Sequence, residues 1–194
     1  KVPANVTNIK QFLDWAKANP KDASYGSPAA GSTPHFIGAL LGLNTNVELQ
    51  HVAYRGSVPG VTDVVGGQIA AMVCPHGDMI ANHKAGKLRI LATSGKTRSP
   101  FVPDVATFAE QGMPELNVEE WFGFVGPAKM PANLVQACND AINAALKEKS
   151  VTDSFTAIGL IPYATTPQEQ ARSMKVEFDR WGPLIKKIGF TAES

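Results

Sequence analysis

The first half of the chain alternates strand-length apolar runs with helix-length segments. The apolar runs lie at residues 23–27, 49–54, 69–73 and 88–93, and the segments suited to helices lie between them, at about 34–43, 58–65 and 77–84. Strands that alternate with helices form a parallel sheet with helices on both faces. In such sheets, ligands bind beyond the carboxyl ends of the strands, where the helices begin. The sequence therefore predicts an α/β fold with its binding site at one sheet edge.

Flanking segments are also predicted to be helical or extended. A helix over residues 8–18 is expected to be capped by Thr7 and ended by Pro20, and glycines at Gly66-Gly67 and Gly86 suit left-handed helix ends. Residues 96–114 suit an ordered crossover, with a short helix near 107–111. The later segments predict a strand at 118–125, a long helix at 132–149 with one buried face, and a strand at 160–163. A further helix is predicted from the capping box Thr166 to Glu169 as far as Trp181, where Gly182-Pro183 is expected to kink or interrupt it before a last helical stretch at 184–188.

Composition excludes several classes of protein. Hydrophobic content is 44 % and charged content 18 %, which is typical of a folded chain. The net charge of +1 comes from 18 basic and 17 acidic residues without basic runs, so nucleic acid is not an expected partner. No apolar stretch is long enough to span a membrane. Cys74 and Cys138 have neither CxxC spacing nor a metal-type cluster, and both are expected to be buried small hydrophobic residues.

The segment from Tyr25 to Phe36 is the most informative part of the sequence. A predicted strand leads through small residues into a helix, whose first-turn N–H groups lack partners within the helix. Those N–H groups, the positive end of the helix dipole and nearby hydroxyls suit a carboxylate or a phosphate. A nucleotide phosphate loop would need lysine where this chain has Ser32. The alternative is that Ser32 or Thr33 simply caps the helix.

Two further strand ends are expected at the same sheet edge. After the strand at 49–54, Ser57 is expected to cap the next helix, and Arg55 either binds a second carboxylate or is solvated. After the strand at 69–73, Cys74 and His76 could suggest a nucleophile and its base, but residues two apart in an extended stretch are roughly 6.5 Å apart. His76, Asp78 and His83 match no common metal spacing.

Catalytic patterns are otherwise missing from the sequence. No Gly-x-Ser-x-Gly nucleophile elbow is present, and Glu119 and Glu120 fall on opposite faces of a predicted strand. We therefore expect a non-enzymatic binding domain that uses neither a cofactor nor a metal.

An ordered series of short motifs resembles the substrate-binding proteins of tripartite tricarboxylate transporters, the Bug-type family. The motifs run through the whole chain in order: Ala18-Asn19-Pro20; Ser27-Pro28 through Gly31 to His35 and Gly38; His51-Val52 with Tyr54, Gly56 and Pro59; Thr62-Asp63; Gly66-Gly67-Gln68; Lys84 through Arg89; Arg98-Ser99-Pro100; Pro103-Asp104-Val105; Trp121-Phe122-Gly123; and Arg180-Trp181-Gly182.

The resemblance implies a periplasmic, type II-like receptor of two α/β lobes that closes on a small anion and delivers it to membrane transporter subunits. Residues 1–120 would form the second lobe, and residues 121–194 a mainly helical segment that returns to the first lobe. It also implies that family members have a further N-terminal stretch, which forms most of the first lobe. A monomer is expected.

The resemblance also implies which residues bind the ligand. The family's carboxylate-binding loop matches the segment from Ser27 to His35, so the resemblance assigns carboxylate binding to Ser27, Gly31, Ser32, Thr33 and His35. We add Ala30 of the same loop and, from the two neighbouring strand ends, Tyr54, Arg55 and Cys74 as expected ligand-binding residues. Many members have aspartate where this chain has Cys74, a residue suited to an amino group. Its replacement favours a di- or tricarboxylate or an aromatic acid over an amino acid. Two alternatives stay open: an enzyme with a Cys74/His76 centre or a phosphoester site on the glycine loop, and a signalling subunit that presents a bound acid to a sensor.

Overall fold

The structure is a computed structural model that describes residues 1–191. The chain divides into two compact units, one formed by Lys1–Glu120 with the described residues from Phe190 onward, the other by Trp121–Gly189. The strands are β1 (Ser24–Ser27), β2 (Gln50–Ala53) and β3 (Ala71–Met72), and the α-helices are α1 (Ile9–Ala18), α2 (Thr33–Thr45), α3 (Ser57–Val65), α4 (Gly77–Lys84), α5 (Ala132–Ala145), α6 (Lys149–Ala157) and α7 (Pro167–Lys187). Short 3-10 helices occupy Ala109–Gln111 and Pro114–Leu116.

The first unit contains a three-stranded parallel sheet in the order β2-β1-β3. Tyr25 pairs with His51 on one side and with Ala71 on the other, so β1 is the central strand, and all four of its residues are buried. Because the strands are parallel, their carboxyl ends meet at one edge, where α2, α3 and α4 follow. The predicted α/β fold with helices flanking a parallel sheet is confirmed.

Helix α2 packs closely on the central strand. Phe36, Ile37, Leu40 and Leu41 of α2 are buried, in a core that also contains Phe12 and Ala16 of α1. Gly38 is the point of closest approach, since a Cβ atom built there would lie 2.1 Å from Cε2 of Tyr25. The absence of a side chain at Gly38 therefore lets α2 lie directly against the Tyr25 ring.

The predicted strand at 88–93 is wrong, because no strand within residues 1–191 pairs with this run. Thr93 forms one isolated parallel bridge with Thr107. Two other backbone groups of the run bond to side chains: Gln111 donates to the carbonyl of Leu91, and Ile90 donates to Nδ1 of His83. The apolar signal instead reflects a small cluster, in which Ile90 is buried with Val102 and Val105 of the crossover.

Two predicted helix caps are also wrong. Asn8, one residue after Thr7, caps α1 by accepting a hydrogen bond from the N–H of Gln11, while Thr7 bonds to the Gln11 side chain. At α3 the cap residue is Gly56, with φ 98°, and no side chain caps the helix. The left-handed ends at Gly67 (φ 72°) and Gly86 (φ 69°) are as predicted, because glycine adopts such angles without a Cβ clash.

The second unit is helical. The strands predicted at 118–125, where the two units meet in sequence, and at 160–163 are both absent from the described structure. The capping box at Thr166 and Glu169 is confirmed. Helix α7 continues to Lys187 with Pro183 inside it, so Gly182-Pro183 does not interrupt the helix, and a kink there stays a prediction.

The predicted buried face of α5 is wrong as well. Asn139 and Asn143 of α5 donate to the carbonyl of Thr165, just before α7 begins, yet every α5 side chain keeps some exposure. Cys138, expected to be buried, is exposed. The helical spacing of apolar residues shows which face of a helix is apolar, but burial also requires a covering element. No helix in residues 1–191 is long and apolar enough to cross a membrane.

Candidate ligand-binding site

Ser27 anchors the loop that connects β1 to α2. Its side chain has no solvent exposure, and its hydroxyl donates to the carbonyl of Ala29 at 2.9 Å. The same oxygen lies 2.8 Å from Nε2 of His51 on β2. Since the only hydroxyl hydrogen is directed to Ala29, the His51 ring must donate to Ser27 through Nε2–H. Ser27 therefore positions the loop instead of presenting its hydroxyl to solvent.

Gly31 and His35 form the second fixed point of the loop. The N–H of Gly31 donates to Nδ1 of His35 at 3.0 Å, which places the hydrogen of the neutral His35 ring on Nε2. Gly31 has φ 76°, and a Cβ there would lie 3.0 Å from the ring of Phe190. Two of the predicted binding residues, Gly31 and His35, thus bind each other.

Ser32 caps helix α2. Its hydroxyl accepts from the N–H of His35 at 3.4 Å and donates to the carbonyl of Ala29 at 2.7 Å. Among residues 1–191, no acceptor is found for the N–H groups of Ala30 and Thr33. These two amides lie at the positive end of α2 and, with the Thr33 hydroxyl, are the donors of this loop that a ligand can use.

The rings of His35 and His51 stack on each other, with centroids 3.9 Å apart and planes inclined by 13°. Tyr25 lies against His51, with ring centroids 5.0 Å apart, and its hydroxyl donates to the carbonyl of His35. Phe190 contacts His35 edge-on at 5.3 Å. Burial lowers the pKa of both histidines, and burial together with a charge on His35 lowers the pKa of His51 to about 4. Both rings are therefore neutral at pH 7.

The segment between β2 and α3 lies beside the segment between β1 and α2. The N–H of Tyr54 donates to the carbonyl of Ser27 at 2.9 Å, and the N–H of Gly56 donates to that of Pro28 at 2.8 Å. The Tyr54 hydroxyl is engaged with Asp63 of α3 at 2.7 Å, and burial together with Asp63 raises the Tyr54 pKa to about 12. Arg55 is exposed and forms no ion pair within residues 1–191. Arg55 is thus an exposed cation at the carboxyl end of β2.

The third strand end does not form a catalytic pair. Cys74 is partly buried, and burial, with the charges of Asp78 and Glu120, raises the pKa of its thiol to about 12, against a smaller opposing effect of a hydrogen bond with Ser57. His76 points its Nε2 at the hydroxyl of Ser99, 3.1 Å away. A protonated thiol is a weak nucleophile. Residues 1–191 hold no group of three or more His, Cys, Asp or Glu side chains that could bind a metal.

Sequence reasoning missed the roles of His51 and Phe190. A histidine inside an apolar strand was a usable signal for His51, because such a residue needs a partner when it is buried. No sequence signal links Phe190 to Gly31, which lies 159 positions earlier (190 − 31).

Residues 1–190 match the family described as "Tripartite tricarboxylate transporter family receptor". The protein BugT of Bordetella pertussis is 32 % identical over 191 residues, which are 95 % of this chain and 59 % of BugT. A solved structure described as a periplasmic transporter superposes with a TM-score of 0.87 at 35 % identity, covering 95 % of this chain and 61 % of that one. Rpa4515 of R. palustris, solved with adipate, gives 0.84 at 29 % identity, covering 96 % and 62 %.

The chain thus spans about three fifths of the length of each of these three relatives. The matching family is one of receptors, and the raised pKa of the Cys74 thiol and the pairing of His76 with Ser99 leave these two residues without an activated nucleophile. The Cys74/His76 enzyme hypothesis is therefore wrong. On the match of its first 190 residues, the chain belongs to the tripartite tricarboxylate transporter family of receptors.

Proposed function

We propose that this protein is a periplasmic receptor that captures a small organic carboxylate and delivers it to the membrane subunits of a tripartite transporter. The observation that carries the proposal is the pair of amides at Ala30 and Thr33, which have no acceptor among residues 1–191 and lie at the positive end of α2. A carboxylate accepts hydrogen bonds from such amides and is stabilised by the helix dipole. The adipate bound to Rpa4515 supports this class of ligand.

Hydrogen bonds within the loop itself hold its shape. Ser27, Ser32 and His35 use their side chains on backbone groups of the loop itself, at Ala29 and Gly31. A site that is organised in advance loses less conformational entropy on binding, so more of the interaction energy contributes to affinity. We therefore assign direct ligand contact to Ala30 and Thr33, and positioning roles to Ser27, Gly31, Ser32 and His35.

Arg55 and Cys74 favour an acid with two carboxylates and no amino group. Arg55 is exposed beside the loop and has a guanidinium that suits a second carboxylate. The Cys74 thiol stays neutral, so it supplies no negative charge for an ammonium group. A dicarboxylate of adipate's kind is the ligand that these residues fit.

Calorimetric titration of the full-length protein tests the ligand class. The panel contains adipate, succinate, citrate and benzoate, with aspartate and glycerol phosphate for contrast. We expect at least one dicarboxylate to bind more tightly than benzoate, aspartate and the phosphate ester. Binding of the phosphate ester alone would contradict the proposal.

Two variants test the assigned contacts. Arg55→Gln should weaken dicarboxylate binding by about tenfold or more, the equivalent of about 1.4 kcal/mol, and leave any binding of benzoate unchanged. Lys84→Gln removes the same charge from an exposed position on α4 and is the matched control. Thr33→Ala should weaken the binding of all acids alike, because it removes the hydroxyl that donates to the first carboxylate. If Arg55→Gln and Lys84→Gln have equal effects, Arg55 acts only through net charge.

A further inference from the structure

We propose that His35, His51 and Ser27 form a histidine clasp, which holds the 28–32 loop ready for its ligand while both rings are neutral and releases it when His35 is protonated. The clasp rests on the proposed function, since the loop is the carboxylate site of that proposal. In the clasp, His35 and His51 position the loop. Because the protonation of His35 releases the loop, ligand binding depends on pH.

The hydrogen bonds of the clasp fix the protonation state of each ring. Ser27 donates to Ala29, so it accepts from Nε2–H of His51. Gly31 donates to Nδ1 of His35, so that nitrogen must carry a lone pair. The stacked contact of 3.9 Å between ring centroids joins these two hydrogen bonds into one unit that spans β1, the loop, α2 and β2.

The surroundings of the clasp oppose a positive charge. Tyr25 of β1, which stays neutral because burial raises its pKa, and the apolar rings of Phe36 and Phe190 surround the pair. Among residues 1–191, neither ring forms an ion pair with an Asp or Glu side chain. Burial therefore lowers the pKa of both histidines, and each ring would repel a charge on the other.

Protonation of His35 acts directly on the loop. The new hydrogen must go to Nδ1, where it faces the N–H of Gly31, so an attractive contact of 3.0 Å becomes a contact between two donors. Protonation of His51 adds its hydrogen at Nδ1 and leaves the bond to Ser27 intact. His35 is therefore the ring that senses pH, and His51 supports it by stacking.

Nuclear magnetic resonance tests the clasp without any ligand. At pH 7.5 we expect nitrogen shifts of a neutral ring with Nε2–H for both histidines and slow hydrogen exchange at the Gly31 amide. As the pH falls, His35 should titrate below 6.5 and Gly31 exchange should accelerate with the same midpoint. An Nδ1–H tautomer at His35, or Gly31 exchange that ignores its titration, would overturn the clasp.

Adipate titrations at pH 7.5, 6.5 and 5.5 test the effect on capture. His35→Asn keeps an acceptor near the Nδ1 position but cannot titrate, and His35→Ala removes it. We expect wild-type affinity to fall below the His35 pKa, approaching about tenfold per pH unit at the limit of one coupled proton. His35→Asn should lose this dependence, whereas His35→Ala should bind about five- to tenfold more weakly at pH 7.5.

The outcomes separate the clasp from the proposed function. Protonation of adipate itself affects wild type and His35→Asn equally, so parallel pH profiles would overturn the clasp and leave carboxylate binding standing. Tighter binding at pH 5.5 than at pH 7.5 in wild type alone would show that His35 supplies charge to the ligand, which also overturns it. If no acid binds but the resonance results are as expected, the carboxylate function fails and the clasp stands as a loop-positioning device.

Discussion

The Ser27 hydroxyl, with no solvent exposure, bonds to the carbonyl of Ala29 and to the ring of His51. It therefore connects the loop to two strands through a single oxygen atom. The side chains of the loop between β1 and α2 are predicted from the sequence to contact the ligand. In the structure, Ser27, Ser32 and His35 bond mainly to backbone groups of this loop. At the scale of single residues, the site is built from side chains that orient backbone N–H groups.

The two cysteines should differ in reactivity. Cys138 is exposed, whereas burial raises the pKa of Cys74 to about 12, which leaves almost no thiolate at pH 8. We expect Ellman's reagent to modify one thiol rapidly in the native protein and both after denaturation. Cys138→Ser should abolish the rapid phase and Cys74→Ser should retain it. Rapid modification of Cys74 would contradict this account of its environment.

Substitution of Gly31 by alanine should destabilise the protein more than the same substitution at Gly86, which has a similar φ but no neighbouring atoms. Gly31→Ala introduces both left-handed strain, about 1–2 kcal/mol, and a contact with Phe190. Gly86, with φ 69° and no atom near its Cβ position, is the matched control. In urea unfolding we expect Gly31→Ala to lower the free energy of unfolding by about 1 kcal/mol more than Gly86→Ala. Equal losses would mean that the Phe190 ring moves aside without cost.

Sequence patterns identified the loop but not the partners of its residues. Small residues before a helix indicate an anion-accepting entrance, and Ser32 does cap α2. The bond between Gly31 and His35 follows from local chain geometry, four residues apart. The stack of His35 on His51 depends on strand register, which spacing alone does not provide.

At the scale of elements, the contact between α2 and β1 should be the least tolerant of added volume. Gly38→Ala places a methyl group 2.1 Å from the Tyr25 ring. Despite the better helix propensity of alanine, we expect a net loss of about 1–3 kcal/mol in urea unfolding, because the ring cannot leave the core without moving α2. Gly60→Ala is the control, since it first meets Sδ of Met72, the end of a flexible side chain. A larger loss at Gly60 would contradict the assignment.

Helices were predicted more accurately than strands, for a physical reason. The capping box at Thr166 and the glycine at Gly86 act within a few residues of the helix end that they define. A strand needs a neighbour, and residues 88–93 and 118–125 have the composition of strands without one in the structure. The assignment of residues 1–120 and 121–194 to two lobes stays a prediction, and its last three residues lie outside the described chain.

At the scale of the whole molecule, stability should fall as the solution is acidified below pH 6.5. Burial lowers the pKa of His35, His51 and His76, so the unfolded chain binds more protons than the folded chain between 6.5 and the lower folded values. The free energy of unfolding must then decrease through this window. Urea unfolding at pH 7, 6 and 5 measures the slope.

The double variant His35→Asn/His51→Gln isolates the contribution of the clasp. It should show a shallower slope between pH 7 and 5 and keep only the part due to His76. The free energy of unfolding should decrease further below pH 4.5 in both proteins, because hydrogen bonds lower the pKa of Glu110 and Glu169 and these bonds stabilise the fold only while the two carboxyl groups are ionised. Identical slopes in the two proteins would mean that the histidines are not linked to folding.

The two units differ in how they bury apolar groups. The core lies in the first unit, whereas most of the large hydrophobic residues that are exposed belong to residues 121–189: Phe122, Phe124, Val125, Leu134, Ile158, Ile161, Tyr163, Met174, Val176 and Phe178. The first unit therefore contains the packing that specifies the candidate site.

In the 28–32 loop, the side chains that are exposed at residues 29 and 30 take no part in the hydrogen bonds that fix the shape of the loop. Ala29 and Ala30 are exposed, and the loop uses the carbonyl of Ala29 but no side chain at either position. Mutations at these two positions can therefore change what a ligand meets without removing a bond that shapes the loop. A library randomised at residues 29 and 30 would be the shortest route to receptors with altered ligand preference on an unaltered scaffold.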